Sequence, residues 1–354
     1  MKGRKRNTTE TYEYNHRTLL EVRDLRVSLF NGKTSVPIIR GFDLSLEKGG
    51  ILGILGESGS GKTVSASMIM RLFEKDEGAI EQGKIIFKGR NLASAAEKEL
   101  QDIRGKEISF VFQNPAQALN PYKKIGRQLS DTLKTHGLPY SRQIIEKALL
   151  EAGIPDPGTV YGMYPYQLSS GQNQRIMICQ GIICKPDLLI ADEPTSSIDA
   201  SLRKRILDLF IQINRKYGMS IIFITHDFDI ARFLCRRLVI MYGGMVVEEG
   251  GIDEIFGNPL HPYTEELIKC SQSLDRNEDR LYTLDGTPLV PSDFRDECPF
   301  YERCRFRCSE CKSGIPAMLE RGKRKARCLA RIIDGRIDDA KNLMKTGGPD
   351  VGEN

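Results

Sequence analysis

Gly50-Ile51-Leu52-Gly53-Ile54-Leu55-Gly56-Glu57-Ser58-Gly59-Ser60-Gly61-Lys62-Thr63 is the stretch from which the rest of the chain can be read. Its first half is a short apolar run, the pattern of a buried strand. Its second half, Gly56 to Thr63, fits G-x-x-x-x-G-K-[ST] at every position. Gly56, Gly59 and Gly61 let successive backbone N–H groups turn inward, with Glu57, Ser58 and Ser60 between them. The spacing then predicts a helix from Thr63 to about Phe73, whose positive N-terminal end faces the same loop. Strand, glycine-rich loop and helix in this order form a phosphate cradle. Lys62 is placed for the β- and γ-phosphates of a nucleoside triphosphate, and Thr63 for a Mg²⁺ ion.

Downstream, Leu188 to Ala191 is an apolar strand pattern ending in Asp192-Glu193. At a strand's C-terminal edge Asp192 can hold the Mg²⁺ shell, and Glu193 can orient or deprotonate an attacking water. Strand patterns also run over Leu19 to Phe30, Gly41 to Glu47, Lys84 to Phe87, Ile108 to Phe112, Ser220 to Thr225, Leu238 to Met241 and Met245 to Glu248. Helical patterns occupy Ile125 to about Gly153, Ser201 to Tyr217 and Phe228 to Arg236. Pro155-Asp156-Pro157-Gly158 breaks the first of these. The alternation predicts a mainly parallel α/β core, with the early strands as a separate antiparallel piece.

The bulk numbers agree with a globular chain. Of 354 residues, 40% are apolar and 28% charged, with a net charge of +5, so charge alone implies no nucleic-acid partner. No apolar run approaches the ~18 residues needed to span a bilayer, and the N-terminus lacks a signal-peptide core. The expectation is a cytosolic protein whose membrane link runs through partners. Lys2, Arg4, Lys5, Arg6 and Arg17 against Glu10 and Glu13 read as a basic, solvated tail.

Six motifs line up in one order: GESGSGKT, FQNP (Phe112 to Pro115), LSSGQNQR (Leu168 to Arg175), LLIADEP, SSID (Ser196 to Asp199) and ITHD (Ile224 to Asp227). Together they resemble the ATPase subunit of ATP-binding cassette (ABC) transporters, over about Leu19 to Gly250. The resemblance implies a P-loop NTPase cassette with a mainly parallel sheet core, an antiparallel β subdomain and a helical subdomain. It implies that Gln113 senses the γ-phosphate and Mg²⁺, and that His226 contacts the γ-phosphate. Ser169, Gly171 and Gln172 would grip ATP held by a partner subunit, with Asp199 crossing the dimer interface. Phe30 is the candidate for stacking on adenine. Ser170 departs from the family's usual glycine; Ser197 and Ile198 are milder departures.

A narrower resemblance begins at His261-Pro262-Tyr263-Thr264, soon after Gly257-Asn258-Pro259. With Cys298-Pro299-Phe300-Tyr301-Glu302-Arg303-Cys304, then Cys311, Pro316 and Cys328, it is similar to the tail of oligopeptide/dipeptide importer ATPases. The implied partners are a second, different ATPase subunit, two transmembrane permeases and, indirectly, an extracytoplasmic solute-binding protein. The implied place is the cytoplasmic face of the membrane. A nickel or other small-solute importer is the alternative within the class, and a soluble ABC ATPase of DNA repair or translation the alternative outside it. The chain divides into a basic tail (1–17), an ATPase domain (18–262, helical part about 114–180), a Cys-rich region (263–335) and a tail (336–354).

Nine cysteines are present. Cys179, Cys184 and Cys235 lie in apolar or helical context and read as small hydrophobes, and Cys270 is isolated. Cys298, Cys304, Cys311 and Cys328 have the number for a four-thiolate site, a [4Fe–4S] cluster or a zinc ion, with reduced thiols as the bland alternative. Cys308 is extra. The basic residues beside them (Arg303, Arg305, Arg307, Arg321, Lys323, Arg324, Lys325, Arg327) are expected to stabilise thiolates.

Overall fold

The computed structural model describes residues 17–32, 34–73, 76–196, 198–275 and 282–333. Most of the basic tail, Ser197 and the C-terminal tail therefore lie outside the described residues. In chain order the first elements are β1 (Thr18–Asn31), β2 (Thr34–Glu47), β3 (Ile51–Leu55), α1 (Lys62–Ile69), β4 (Gly78–Phe87), β5 (Arg90–Asn91), α2 (Glu97–Ile103) and β6 (Ile108–Val111). A helical stretch follows: α3 (Pro115–Ala118), α4 (Ile125–Thr135), α5 (Arg142–Glu151), α6 (Pro157–Gly162) and α7 (Ser170–Ile182). The chain then returns through β7 (Leu188–Asp192), α8 (Ala200–Tyr217), β8 (Ser220–Thr225), α9 (Phe228–Leu234), β9 (Arg237–Tyr242), β10 (Met245–Gly251), α10 (Ile252–Gly257) and α11 (Pro262–Asp275). Last come β11 (Leu319–Arg321), β12 (Arg324–Ala326) and α12 (Leu329–Ile333).

β1 and β2 form a long antiparallel pair joined through β1 to β4 and then β5, a four-stranded sheet in the order β2-β1-β4-β5. β2 begins well before the expected Gly41, because Pro37 hides the strand. Proline donates no ladder hydrogen bond, and β2 is an edge strand, where that loss is tolerated. The second sheet has the order β11-β12-β10-β9-β3-β8-β7-β6. Its β9-β3-β8-β7-β6 portion is parallel, and β10, β12 and β11 add antiparallel strands at the other end.

Three large apolar cores, beside a small one at Leu260, Leu319 and Ala326, are seen among the described residues. Leu20, Val22, Phe42 and Leu44 of the antiparallel sheet pack with Leu52, Ile54 and α1 residues such as Ile69. On the other face of the parallel sheet, Phe210 and Ile213 of α8 meet Leu189, Ile221 and Phe223. Leu129, Ile145, Leu149 and Ile176 make the separate core of the helical part. The expected long helix after Ile125 is two helices, because Gly137 takes a left-handed φ of 65° after α4 and Pro139 follows. The helix after the phosphate loop also ends early, at Ile69, with Arg71 in left-handed conformation.

Far from hanging off the core, the C-terminal segment extends its sheet through the β11–β12 hairpin. The anchor is ionic. Fully buried Glu248 of β10 accepts from Arg324 Nη2 of β12 at 2.8 Å and from the Leu260 and His261 N–H groups, both at 2.9 Å.

Candidate active site

Four neighbouring parallel strands, β3-β8-β7-β6, end on one side, and each delivers part of the site from its C-terminal end. This is where open parallel sheets bind ligands. The loop after β3 is Gly56 to Lys62. A Cβ at Gly56 would lie 2.3 Å from the Met241 carbonyl oxygen, so no other residue fits where the strand turns out of the sheet. Lys62 is buried, and its Nζ donates to the Gly56 and Glu57 carbonyls at 2.8 and 2.9 Å. Burial pushes its pKa down, opposed by Glu193, Asp192 and Glu57.

The carboxylate pair at the end of β7 divides into two environments. Asp192 Oδ2 accepts from Thr63 Oγ1 at 2.8 Å, while its buried Oδ1 has no hydrogen-bond partner. Burial is the main force pushing this carboxyl's pKa up. A hydroxyl beside an unsatisfied buried carboxylate oxygen is a donor set suited to a hard, oxygen-seeking cation, so Thr63 and Asp192 fit Mg²⁺. Glu193 follows with φ +43°, a strained value for a non-glycine residue, held by its own N–H on the Ile224 carbonyl at 3.0 Å. Its carboxylate meets His226 Nδ1 at 3.3 Å and accepts from Gln113 Nε2 at 3.3 Å. The hydrogen bond from His226 holds the Glu193 carboxyl below the usual carboxylate range, and Glu193 raises His226 in return. Gln113 comes from the end of β6 and His226 from the end of β8, so side chains far apart in sequence converge on one carboxylate.

Ser169 caps α7. Its Oγ accepts from Gln172 N at 3.2 Å while Gln172 Oε1 accepts from Ser169 N at 3.0 Å, a reciprocal capping box. Ser169 and Ser170 are exposed, so the positive end of this helix faces outward. Gly171 is buried: a Cβ there would sit 2.1 Å from Leu202 Cδ2 of α8. Asp199 caps α8 by accepting from Leu202 N at 2.9 Å. Phe30, at the end of β1 on the antiparallel sheet, is 37% exposed.

The sequence reading missed two contacts to the phosphate loop. Tyr263 Oη accepts from Glu57 N at 2.8 Å, and Arg303 grips the Glu57 carboxylate with both terminal nitrogens, at 2.6 and 3.0 Å. The available signal was Glu57 itself, since an acidic side chain in an anion-binding loop calls for a cation.

Several basic residues of the C-terminal region are engaged with other groups, while Arg307 does favour the Cys304 thiolate against burial. Arg303 pairs with Glu57, Arg324 with Glu248, Arg305 with Glu265, and Arg327 donates to the Val246 and Pro316 carbonyls. Burial pushes the Cys298 and Cys328 thiols up to about 12 and raises Cys304 as well. Cys298, Cys304, Cys311 and Cys328 are all buried, and Cys308 Sγ lies 3.3 Å from Cys311 Sγ. The donor set is chemically right for a four-thiolate centre. Its present spacing is not, because among the described residues no three Cys, His, Asp or Glu side chains are arranged to hold a metal.

Comparison with known proteins fits this geometry. A family model described as "ABC transporter" matches residues 39–196, and one described as "Oligopeptide/dipeptide transporter, C-terminal region" matches residues 247–311. The dipeptide transport ATP-binding protein DppD of Bacillus subtilis is 40% identical over 86% of this chain and 91% of its own length. A probable peptide ABC transporter ATP-binding protein of Sinorhizobium fredii is 36% identical over 85% of this chain and 91% of its own. Among solved structures, a dimeric post-hydrolysis state of the ATP-binding cassette MJ0796 bound to ADP and Pi superposes with a TM-score of 0.59, at 24% identity, covering 66% of this chain and 99% of that one. Among the described residues no helix is long and apolar enough to cross a membrane.

Proposed function

The chain belongs to the ATP-binding subunits of ABC transporters, in their oligopeptide/dipeptide branch, and from that premise we infer that it is the ATP-hydrolysing subunit of a peptide importer. The observation that carries the reading is the convergence of Thr63, Asp192, Glu193, Gln113 and His226 at the ends of β3, β7, β6 and β8. In this reading the loop from Gly56 to Thr63 cradles the phosphates, and Lys62 leaves the Gly56 and Glu57 carbonyls for the β- and γ-phosphates. Thr63 and Asp192, with Gln113, would hold Mg²⁺, which when bound would supply charge neutralisation on the phosphates. Glu193 positions and deprotonates the attacking water. His226 and Gln113, now spent on Glu193, turn to the γ-phosphate side once it is present. Phe30 offers its ring to adenine.

The α7 N-terminus, exposed at Ser169 and Ser170 and continuing through Gly171 and Gln172, completes the nucleotide site of a second ATPase subunit, and Asp199 lies at that interface. We take that subunit to be a related but different chain. Two permeases then carry the solute, fed by an extracytoplasmic binding protein, and this chain works as a peripheral subunit on the cytoplasmic face. ATP favours the closed pair by adding contacts made only there, and hydrolysis removes them. Replacing Glu193 with Gln tests the assignment. Expected are retained MgATP binding and loss of at least ~100-fold in turnover, the usual scale for a general base. Turnover near wild type would reject the role.

The four-thiolate centre is a separate proposal. Four buried thiols at Cys298, Cys304, Cys311 and Cys328, with the number and chemistry of a four-thiolate set, support it. Anaerobic purification of the full chain should give iron and acid-labile sulfide; zinc without iron would replace the cluster by a Cys₄ zinc, and neither metal would reject the site.

A further inference from the structure

We propose that the C-terminal region clasps the phosphate loop, with Arg303 and Tyr263 acting as positioning residues for nucleotide binding through Glu57. The inference rests on the ATPase reading above. Glu57 brings a negative charge into a loop built to receive phosphates, where an unpaired carboxylate would repel the ligand. Arg303 neutralises it in the two-pronged geometry that arginine alone provides, Nη1 on Oε2 at 2.6 Å and Nη2 on Oε1 at 3.0 Å. The guanidinium is fixed on its other sides too, Nε donating to the Asp285 carbonyl at 2.8 Å and Nη1 to Tyr242 Oη at 3.3 Å. With its side chain only 5% exposed, Arg303 has little freedom to let go.

Tyr263 holds the loop's backbone. Its Oη accepts from the Glu57 N–H at 2.8 Å, and its ring is locked against Tyr242 and Phe300, with centroids 4.6 and 5.4 Å away. Both carbonyls that receive Lys62 Nζ, those of Gly56 and Glu57, flank this held residue. The peptide units that park the phosphate-binding lysine are therefore set from a segment more than two hundred residues away in sequence. Preorganising the loop in this way should appear as nucleotide affinity more than as chemistry.

The test is the MgATP dissociation constant of the full chain by calorimetry, with KM and kcat measured beside it. Arg303→Gln should weaken binding by about tenfold or more, the scale of a lost charged hydrogen-bonded pair, and raise KM with a smaller change in kcat. Arg303→Lys should recover only part of the affinity. The double variant Glu57→Gln/Arg303→Gln should bind better than Arg303→Gln alone, because no carboxylate is then left beside the phosphates. A merely structural anchor would not give that rescue. If Arg303→Gln does not fold, Tyr263→Phe makes the same measurement with the loss of a single oxygen. Affinity within twofold of wild type in a folded Arg303→Gln or Tyr263→Phe variant would overturn the clasp. Failure of the wild-type chain to bind MgATP would instead overturn the ATPase reading beneath it.

Discussion

Glu193 is held by strain and by charge at once. Its φ of +43° aims the side chain out of the strand end, and the His226 hydrogen bond keeps it ionised. The coupling has a definite sign. His226 is raised, so its pairing with Glu193 is fully present below the ordinary imidazole pKa of about 6.5 and is lost as pH rises through the higher folded value. Glu193 is lowered, so its share is present above the ordinary carboxylate pKa and lost as pH falls through its folded value. The pair is thus fully present between the ordinary carboxylate and imidazole values and weakens as pH rises through the folded value of His226. NMR titration of the histidine ring protons checks this: the His226 midpoint should lie above 6.5 in the wild-type chain. In Glu193→Gln it should fall, because the largest force raising it is removed while burial and Lys62 still lower it. An unmoved midpoint would mean that the two side chains are not coupled.

Among the elements, β10 and β12 are joined through one buried carboxylate. Glu248 is 0% exposed, and its carboxylate serves Arg324 and two backbone N–H groups. Arg324→Met would strand that carboxylate, at a cost of about 3–5 kcal/mol. Chemical unfolding of the full chain should register the loss, with a Glu248→Gln/Arg324→Met chain less destabilised than Arg324→Met alone. Equal stability in wild type and Arg324→Met would show that the hairpin is not anchored there. The α7 capping box belongs to the same scale. Ser-x-x-Gln could be read as a helix start as well as a partner-binding loop; Ser169 and Gln172 do the first, while Ser169 stays exposed and Gln172 half-buried beside it.

Across the whole molecule, what the sequence disclosed is what short-range chemistry encodes. The phosphate loop, the β7 carboxylates and the parallel core are strand-loop-helix units whose residues lie next to one another. The convergence of Gln113, Glu193 and His226 could only be inferred from resemblance, since three separate strand ends bring them together. The clasp on Glu57 and the β11–β12 extension were not legible. β11 and β12 are three residues each, too short to show alternation, and Arg303 finds its partner across the fold. The carboxylate partners of Arg303, Arg305 and Arg324 were equally out of reach, since each lies in another segment of the fold. The central claim is that turnover at Glu193 drives peptide uptake. The direct measurement is ATP-dependent accumulation of a labelled dipeptide and tetrapeptide in cells whose importer carries either the wild-type chain or Glu193→Gln. Accumulation with the wild type and none with Glu193→Gln, at equal amounts of membrane-bound subunit, is the expected result. Undiminished accumulation with Glu193→Gln would contradict it.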